Sequence, residues 1–362
     1  MRILCGGQVV EDIDNYNRVH EMFKVLKAND ANLNDSAEGF GNDWTHETVM
    51  DTDIVPGIRI GASQTVLFKP CSGLFNQSKM LPIRYMPISI ELELVNDVTE
   101  PIISHTQSDF IISGASQNTS VNWQLQNVQV KCDVVTLDNQ LDNSYAEHLL
   151  SGKALPINYQ TYVSQMTSIQ GGSNGTTVYG QQKVRLSITR ALSRLKNVFI
   201  TLEKGVATGV EQLKYKPWNN FYSPMHDLVD ISGAEHSNTY DEAGEIADFQ
   251  ISVGSKNFPE YPIRSLQEAY YQLRKTLGTH DQHNSIDITQ KEYRRRKFIL
   301  GVDMEKVLEA GFTGINTRAG DIMQIRFDHK SGDQTTWATS LHTVLTADCI
   351  LEVKDSGVSV FD

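Results

Sequence analysis

The chain has 362 residues, 40% hydrophobic and 21% charged, with a formal net charge of -12. That mix lies well away from disordered compositions and leaves room for two domains of ordinary size. The acidic balance argues against wrapping on nucleic acid, because neutralising phosphates needs clustered Lys and Arg.

Residues 1–10 read as a strand, a Gly6-Gly7 turn and a second strand. Asp14 or Asn15 is placed to cap a helix whose apolar face is Val19, Met22, Phe23 and Leu26. Residues 29–44 are rich in Asn, Asp and Gly and read as a loop. A short β run is expected at 64–68, ending at Pro70. Ile88, Ile90, Leu92 and Leu94 alternate with Ser89, Glu91 and Glu93, which predicts a half-buried strand. Residues 104–120 are polar, a loop or weak strand.

From Trp123 the apolar pattern becomes denser. Trp123 and Leu125 share one parity and Val128, Val130, Cys132 and Val134 the other, so a strand with a bulge at Gln126 and Asn127 is expected. A short helix over 143–150 should stop at Gly152, and strands are expected at 155–169, 184–188 and 198–202. Glycines over 171–175 signal a hairpin tip, and 205–244 reads as a long surface loop. Strands resume at 249–253.

Ser265 with Glu268 three residues on is a capping box. Leu266, Ala269, Tyr270, Leu273 and Leu277 then share a helical face, and Gly278 supplies a left-handed stop. This predicts a helix over 265–277. Phe298, Leu300, Val302 and Met304 alternate, as do Met323, Ile325 and Phe327, and later Leu345, Ala347, Cys349, Leu351 and Val353. All three patterns are strands. From Trp123 onward the count is about eight strands, the complement of one jelly roll, while residues 1–120 offer about five.

The search for chemistry is largely negative. Ten histidines include no H-x-x-x-H spacing, and His280 and His283 lie in a polar break, read as solvent-exposed. Glu11, Asp12 and Asp14 directly precede a helix, where acids suit its dipole. Asp303 and Glu305 could be taken for an acid pair but have no assignable partner. Arg294, Arg295, Arg296 and Lys297, the one basic run, read as a solvated strand end. Cys5, Cys71, Cys132 and Cys349 are far apart and read as free buried thiols in a reducing compartment rather than zinc ligands. No apolar run approaches the ~20 residues of a membrane span, and the N-terminus does not read as a signal peptide. No nucleotide-binding or nucleophile-elbow motif is present, so no catalytic, cofactor-binding or metal residue is assigned.

The order and phrasing of several segments carry a resemblance: GGQVVEDIDNYNRVHEMF, LFKPCSGLFNQSKMLPIRYMPISIELEL, WQLQNVQVKCDVVTLDNQLDNSYAEHLL, VRLSITRALSRLKNVFITL, NFPEYPIRSLQEAYYQLRKTLG and ILGVDMEK. Taken together the chain resembles the double jelly-roll major capsid proteins of icosahedral DNA viruses, of polinton-like virus and virophage type. The resemblance implies an all-β fold, a tandem of antiparallel β-sandwiches with a few inserted helices. Residues 1–120 would be the first roll and 121–362 the second, carrying the loop 205–244 and the helix 265–277. It implies a homotrimer forming pseudo-hexameric capsomers, contacts with neighbouring capsomers and minor or vertex capsid proteins, and no enzyme activity, cofactor or sequence-specific nucleic acid. The implied place is the virion, after synthesis in the host cytoplasm. Family members usually carry further strands before the segment resembling MRILCGGQVVEDIDNY, so the first roll is expected to be short of strands at its N-terminus.

Within the structural class the closest rival is a minor vertex capsid protein. Two other classes compete. One is a jelly-roll carbohydrate-binding module, with Tyr159, Tyr162, Trp218 and Tyr222 as a sugar-stacking platform. An enzyme on a cupin-like barrel would need two histidines and a carboxylate, a set that cannot be assembled here.

Overall fold

The computed structural model describes residues 1–28, 38–39, 63–96, 123–169, 180–203, 218–224, 246–279, 286, 288–305, 314–318, 322–331 and 338–362. Strands β1 (Arg2–Cys5) and β2 (Gln8–Asp12) form the expected antiparallel hairpin. Gly6 and Gly7 turn it with φ of 56° and 83°, the positive values that a tight hairpin turn requires. Strand β3 (Ile88–Glu91) adds to the other edge of β1, giving the order β2-β1-β3. The predicted alternation through Leu94 therefore stops early. Its partner has four residues, Arg2 opposite Glu91 is the last pair, and Leu92 and Leu94 are left exposed.

Helix α1 (Tyr16–Val25) buries Val19 and Met22, with Phe23 and Leu26 packed beside them. Its cap differs from expectation. Asn15 holds the N-cap place in a left-handed conformation, φ 47°, and its side chain makes no capping bond. The expected strand at 64–68 is not formed, and Val66, Leu67 and Phe68 are exposed. A single turn of helix, α2 (Gly73–Asn76), follows.

Residues 123–138 also form no strand, against the expectation. The parity break nonetheless coincides with a backbone feature, because Asn127 has φ 53°. Helix α3 (Asn139–Leu150) begins four residues before the predicted start, since Asp138 caps it by accepting from Leu141 N at 2.8 Å.

The remaining strands are β4 (Leu155–Ser168), β5 (Gly180–Ile188), β6 (Leu195–Glu203), β7 (Ile246–Val253) and β8 (Lys256–Ile263). Helices α4 (Leu266–Thr276) and α5 (Gln290–Arg295) come next. Strands β9 (Leu300–Asp303), β10 (Met323–Ser331), β11 (Ser340–Lys354) and β12 (Gly357–Phe361) complete the chain. One sheet runs β5-β10-β7-β8; the other runs β12-β11-β6-β9, with β4 also on β11. Every ladder is antiparallel. The longest pairs β11 with β4 from Ser340–Ser168 to Val353–Leu155.

Three sequence expectations change for topological reasons. The glycine-rich stretch 171–175 lies outside the described residues, but the strands around it, β4 and β5, belong to different sheets and are not hairpin partners. Strand β8 was not anticipated because it holds Pro259 and Pro262. It is tolerated as the edge of its sheet, where a missing N–H breaks no central ladder. The closing alternation is two strands, with β12 folding back on β11 from Lys354–Gly357 onward.

The main core lies where these sheets meet. Phe249 of β7 stacks on Phe327 of β10 at 4.5 Å and tilts against Phe298 at 5.9 Å. Met323, Ile325, Leu300, Val302 and Met304 are buried in the same cluster, as their alternation predicts. Helix α4 carries the capping box read from the sequence: Ser265 Oγ accepts from Glu268 N at 3.2 Å and Glu268 Oε2 accepts from Ser265 N at 3.3 Å. Ala269 and Leu273 are fully buried, and Gly278 takes φ 66° just beyond the helix. The helix lies close on β9: a Cβ on Gly301 would stand 3.2 Å from Leu273 Cα. Ser265→Ala should therefore cost about 1 kcal/mol in denaturant melts, the usual worth of an N-cap. No loss would show that the cap does not stabilise this helix.

Candidate assembly surface

The residues weighed for chemistry do not converge. Asp303 Oδ1 accepts from Glu305 N at 2.9 Å, closing the turn after β9, while Glu305 pairs with Lys196 at 2.8 Å. They are a turn and an ion pair. Glu11, Asp12 and Asp14 do not serve the N-terminus of α1, whose first turn holds no acid. Asp12 pairs with Arg2 at 3.3 Å, and the Asp14 carbonyl accepts from Ser164. His280 and His283 lie outside the described residues, and no group of metal-ligating side chains occurs among those described.

The basic run is not a strand end. It closes α5, whose capping box is Thr289 with Glu292, and Lys297 reaches back to Glu292 at 2.7 Å. Cations at a helix C-terminus are favoured by its dipole. The signal was available as the T-x-x-E spacing at 289–292. The aromatic quartet is no platform either. Tyr159 is buried and donates to Val10 O at 3.1 Å; Tyr162 packs on Phe23 at 4.9 Å; Tyr222 is buried beside β6, and Trp218 is half-buried.

Glu11 has a different role, which sequence reasoning missed. Its carboxylate accepts from Ser72 Oγ and from Gly73 N at 3.0 Å, so β2 holds the start of α2. Burial pushes its pKa up to about 7, only partly offset by those bonds. This contact belongs to a second apolar cluster, where Ile3, Cys5, Leu74 and Met86 meet Ile157, Cys349 and Leu351. Burial raises the Cys5 thiol to about 11 and those of Cys71 and Cys349 to about 12, so these thiols are unreactive. All four cysteines are free, as expected, but only Cys5 and Cys349 are buried as the sequence suggests; Cys71 is half-buried and Cys132 exposed, since residues 123–138 form no strand that would cover it.

A second buried polar group lies between α1 and the β6–β11 pair. Arg18 donates to Thr201 Oγ1 at 3.1 Å, Leu202 O at 3.1 Å and Asn220 O at 3.2 Å, and stands 5.0 Å from the Phe221 ring. Next to it His342 is buried with no hydrogen-bond partner at either ring nitrogen. Burial, with Arg18 adding to it, pulls His342 down to about 3. It is neutral at any ordinary pH. Both side chains are buried, at 2% and 1% exposure.

What the surface does present is apolar. Val128, Val130 and Val134 are 75%, 72% and 67% exposed, and Val135 and Leu137 are exposed beside them. Among the described residues no backbone hydrogen bond joins 124–137 to another segment. Met80, Ile83, Leu92 and Leu94 are exposed as well. Grouped exposed apolar side chains, unlike single scattered ones, are what an interaction surface offers.

No family model and no curated protein matches the chain. Solved structures do. The chain is similar to the PBCV-1 virus capsid in a quasi-atomic description, with a TM-score of 0.52 and 12% identity, over 100% of this chain and 82% of that one. The PBCV-1 crystal structure fitted into a cryo-EM reconstruction of the virophage Sputnik gives 0.51 and 11% over the same shares. The mavirus major capsid protein gives 0.26 and 8% over 57% of this chain and 41% of that one, too loose to carry an argument. The fold is thus mostly antiparallel sheet with few helices and matches that of double jelly-roll capsid proteins. Among the described residues no helix is long and apolar enough to cross a membrane.

Proposed function

We propose that this chain is a viral major capsid protein, a structural subunit that trimerises into pseudo-hexameric capsomers of an icosahedral DNA-virus shell. The observation that carries the reading is the fold itself, antiparallel sheets packed as in the PBCV-1 capsid over the whole chain. We propose further that residues 1–120 and 121–362 are its two rolls. The sheet β2-β1-β3 draws only on the first, and the two larger sheets draw only on the second. The exposed apolar side chains suit a subunit that is covered by its neighbours, since assembly interfaces bury apolar cores. Its place is then the virion, after synthesis in the host cytoplasm, and its partners are neighbouring capsomers and minor or vertex capsid proteins.

Size-exclusion chromatography with light scattering on the full chain tests this. A species of three chain masses that melts cooperatively is the expected result. A pentamer would favour the vertex role. A monomer that binds glycans would replace the reading with a carbohydrate-binding one, which the burial of Tyr159 and Tyr222 already disfavours.

A further inference from the structure

We propose that residues 128–136 form a two-fold contact between copies of this chain, each adding its segment antiparallel to the other about Cys132. The segment follows the left-handed Asn127 and ends before Asp138, the cap of α3, so it is bounded at both ends by backbone features. All nine residues are exposed. Among the described residues, its backbone N–H and C=O groups bond to no other segment. A run of this kind offers a full row of ladder groups and apolar side chains, which is what a second strand needs.

The occupant follows from the sequence of the segment, VQVKCDVVT. Antiparallel pairing about Cys132 sets Lys131 opposite Asp133 and Val130 opposite Val134, each twice by symmetry. Val128 then meets Thr136. Opposite charges and β-branched residues are favourable cross-strand pairs. Centring the pair on Lys131 would oppose two lysines, and centring it on Asp133 would oppose two aspartates, both unfavourable. The segment is therefore complementary to itself in one register and repels itself in those centred on its two charges. An isologous contact of this kind closes on itself. It is distinct from a three-fold contact and does not rest on the capsid reading; on a subunit that also trimerises, it would join one trimer to the next.

Cys132 reports the register. Directly opposed Cα atoms in an antiparallel pair lie about 4.5 or 5.5 Å apart, inside the range that a disulfide spans. The other three cysteines are buried or half-buried. The test uses the full chain with diamide, a thiol oxidant that takes up the two electrons released as two thiols join. A covalent dimer should form quickly and should be absent in Cys132→Ser. Lys131→Asp and Asp133→Lys should each slow cross-linking about tenfold, because each puts like charges opposite in both symmetric pairs. The double variant should restore the rate. Cross-linking that ignores the single reversals would reveal chance collision, and single reversals not rescued by the double would mean another register or another occupant. Either result overturns the proposal. Light scattering on Cys132→Ser reads the three-fold state separately, so failure here leaves that reading to its own measurement.

Discussion

Gly73→Ala should unseat α2 from the sheet and cost ~3 kcal/mol or more, the upper end of overpacking effects. A Cβ at this position would stand 1.4 Å from the Gln160 carbonyl oxygen and 2.5 Å from its carbon. Both are backbone atoms of β4, whose ladder with β11 runs unbroken through Gln160–Asp348. The strand cannot yield without breaking that ladder, so α2 must move. Moving it loses the bond from Gly73 N to Glu11 and uncovers Leu74, which is fully buried in the second cluster. Gly152→Ala is the matched control. Nothing lies within 4 Å of its added Cβ, and only the positive φ of 80° resists. That conformational cost is about 1–2 kcal/mol. Urea midpoints of the two variants decide the matter. A Gly73→Ala cost no larger than that of Gly152→Ala would mean that α2 does not press on β4 as described.

Two buried groups should make opposing contributions to the pH dependence of stability. His342 is pulled down to about 3 from 6.5 by burial and by Arg18. The unfolded chain takes up that proton below about pH 6.5 and the folded one does not. The stability held by neutral His342 is therefore whole above that pH and is lost as pH falls towards 3. Glu11 is pushed up to about 7 from 4.5 by burial. The folded state keeps its proton where the unfolded chain loses it. This contribution is whole below about pH 4.5 and is lost as pH rises through 7. Between pH 7 and pH 5 each amounts to about 2 kcal/mol, with opposite sign, at 1.36 kcal/mol per unit. These two terms should nearly cancel in the wild-type chain. His342→Leu should then be about 2 kcal/mol more stable at pH 5 than at pH 7, relative to wild type. Glu11→Gln should shift by a similar amount the other way. Denaturant titrations at the two pH values read the slopes directly. Parallel profiles for all three chains would show that neither group titrates as its surroundings require.

How far the sequence could be read depended on whether the deciding partner was near in the chain. The α4 cap was legible because Ser265 and Glu268 are three residues apart and need no other segment. The same spacing at Thr289 and Glu292 caps α5, although the basic run that follows it reads in the sequence as a strand end. The strands at Met323–Phe327 and Phe298–Met304 declared themselves by alternation, since one face of each meets a core. Residues 123–134 alternate as clearly and form no strand among the described residues, because alternation reports a capacity to pair and not the presence of a partner. For the candidate surface, the sequence marked the valines, but not that they would be exposed.

By itself the sequence determined the class: antiparallel strands of period two and few helices. Those properties are local, set by side-chain periodicity, capping spacings and composition within a few residues. Only the tertiary structure decided that Pro259 and Pro262 could sit in a strand, since β8 is a sheet edge. Only it showed that Glu11 reaches Ser72 and Gly73, 61 and 62 residues away, rather than the helix beside it. It also set Arg18 against Thr201, 183 residues on, next to a histidine that no spacing rule connects to either. Burial is a property of the assembled sheets, and burial is what shifts Glu11 and His342, silences three thiols and leaves 128–136 open on the surface.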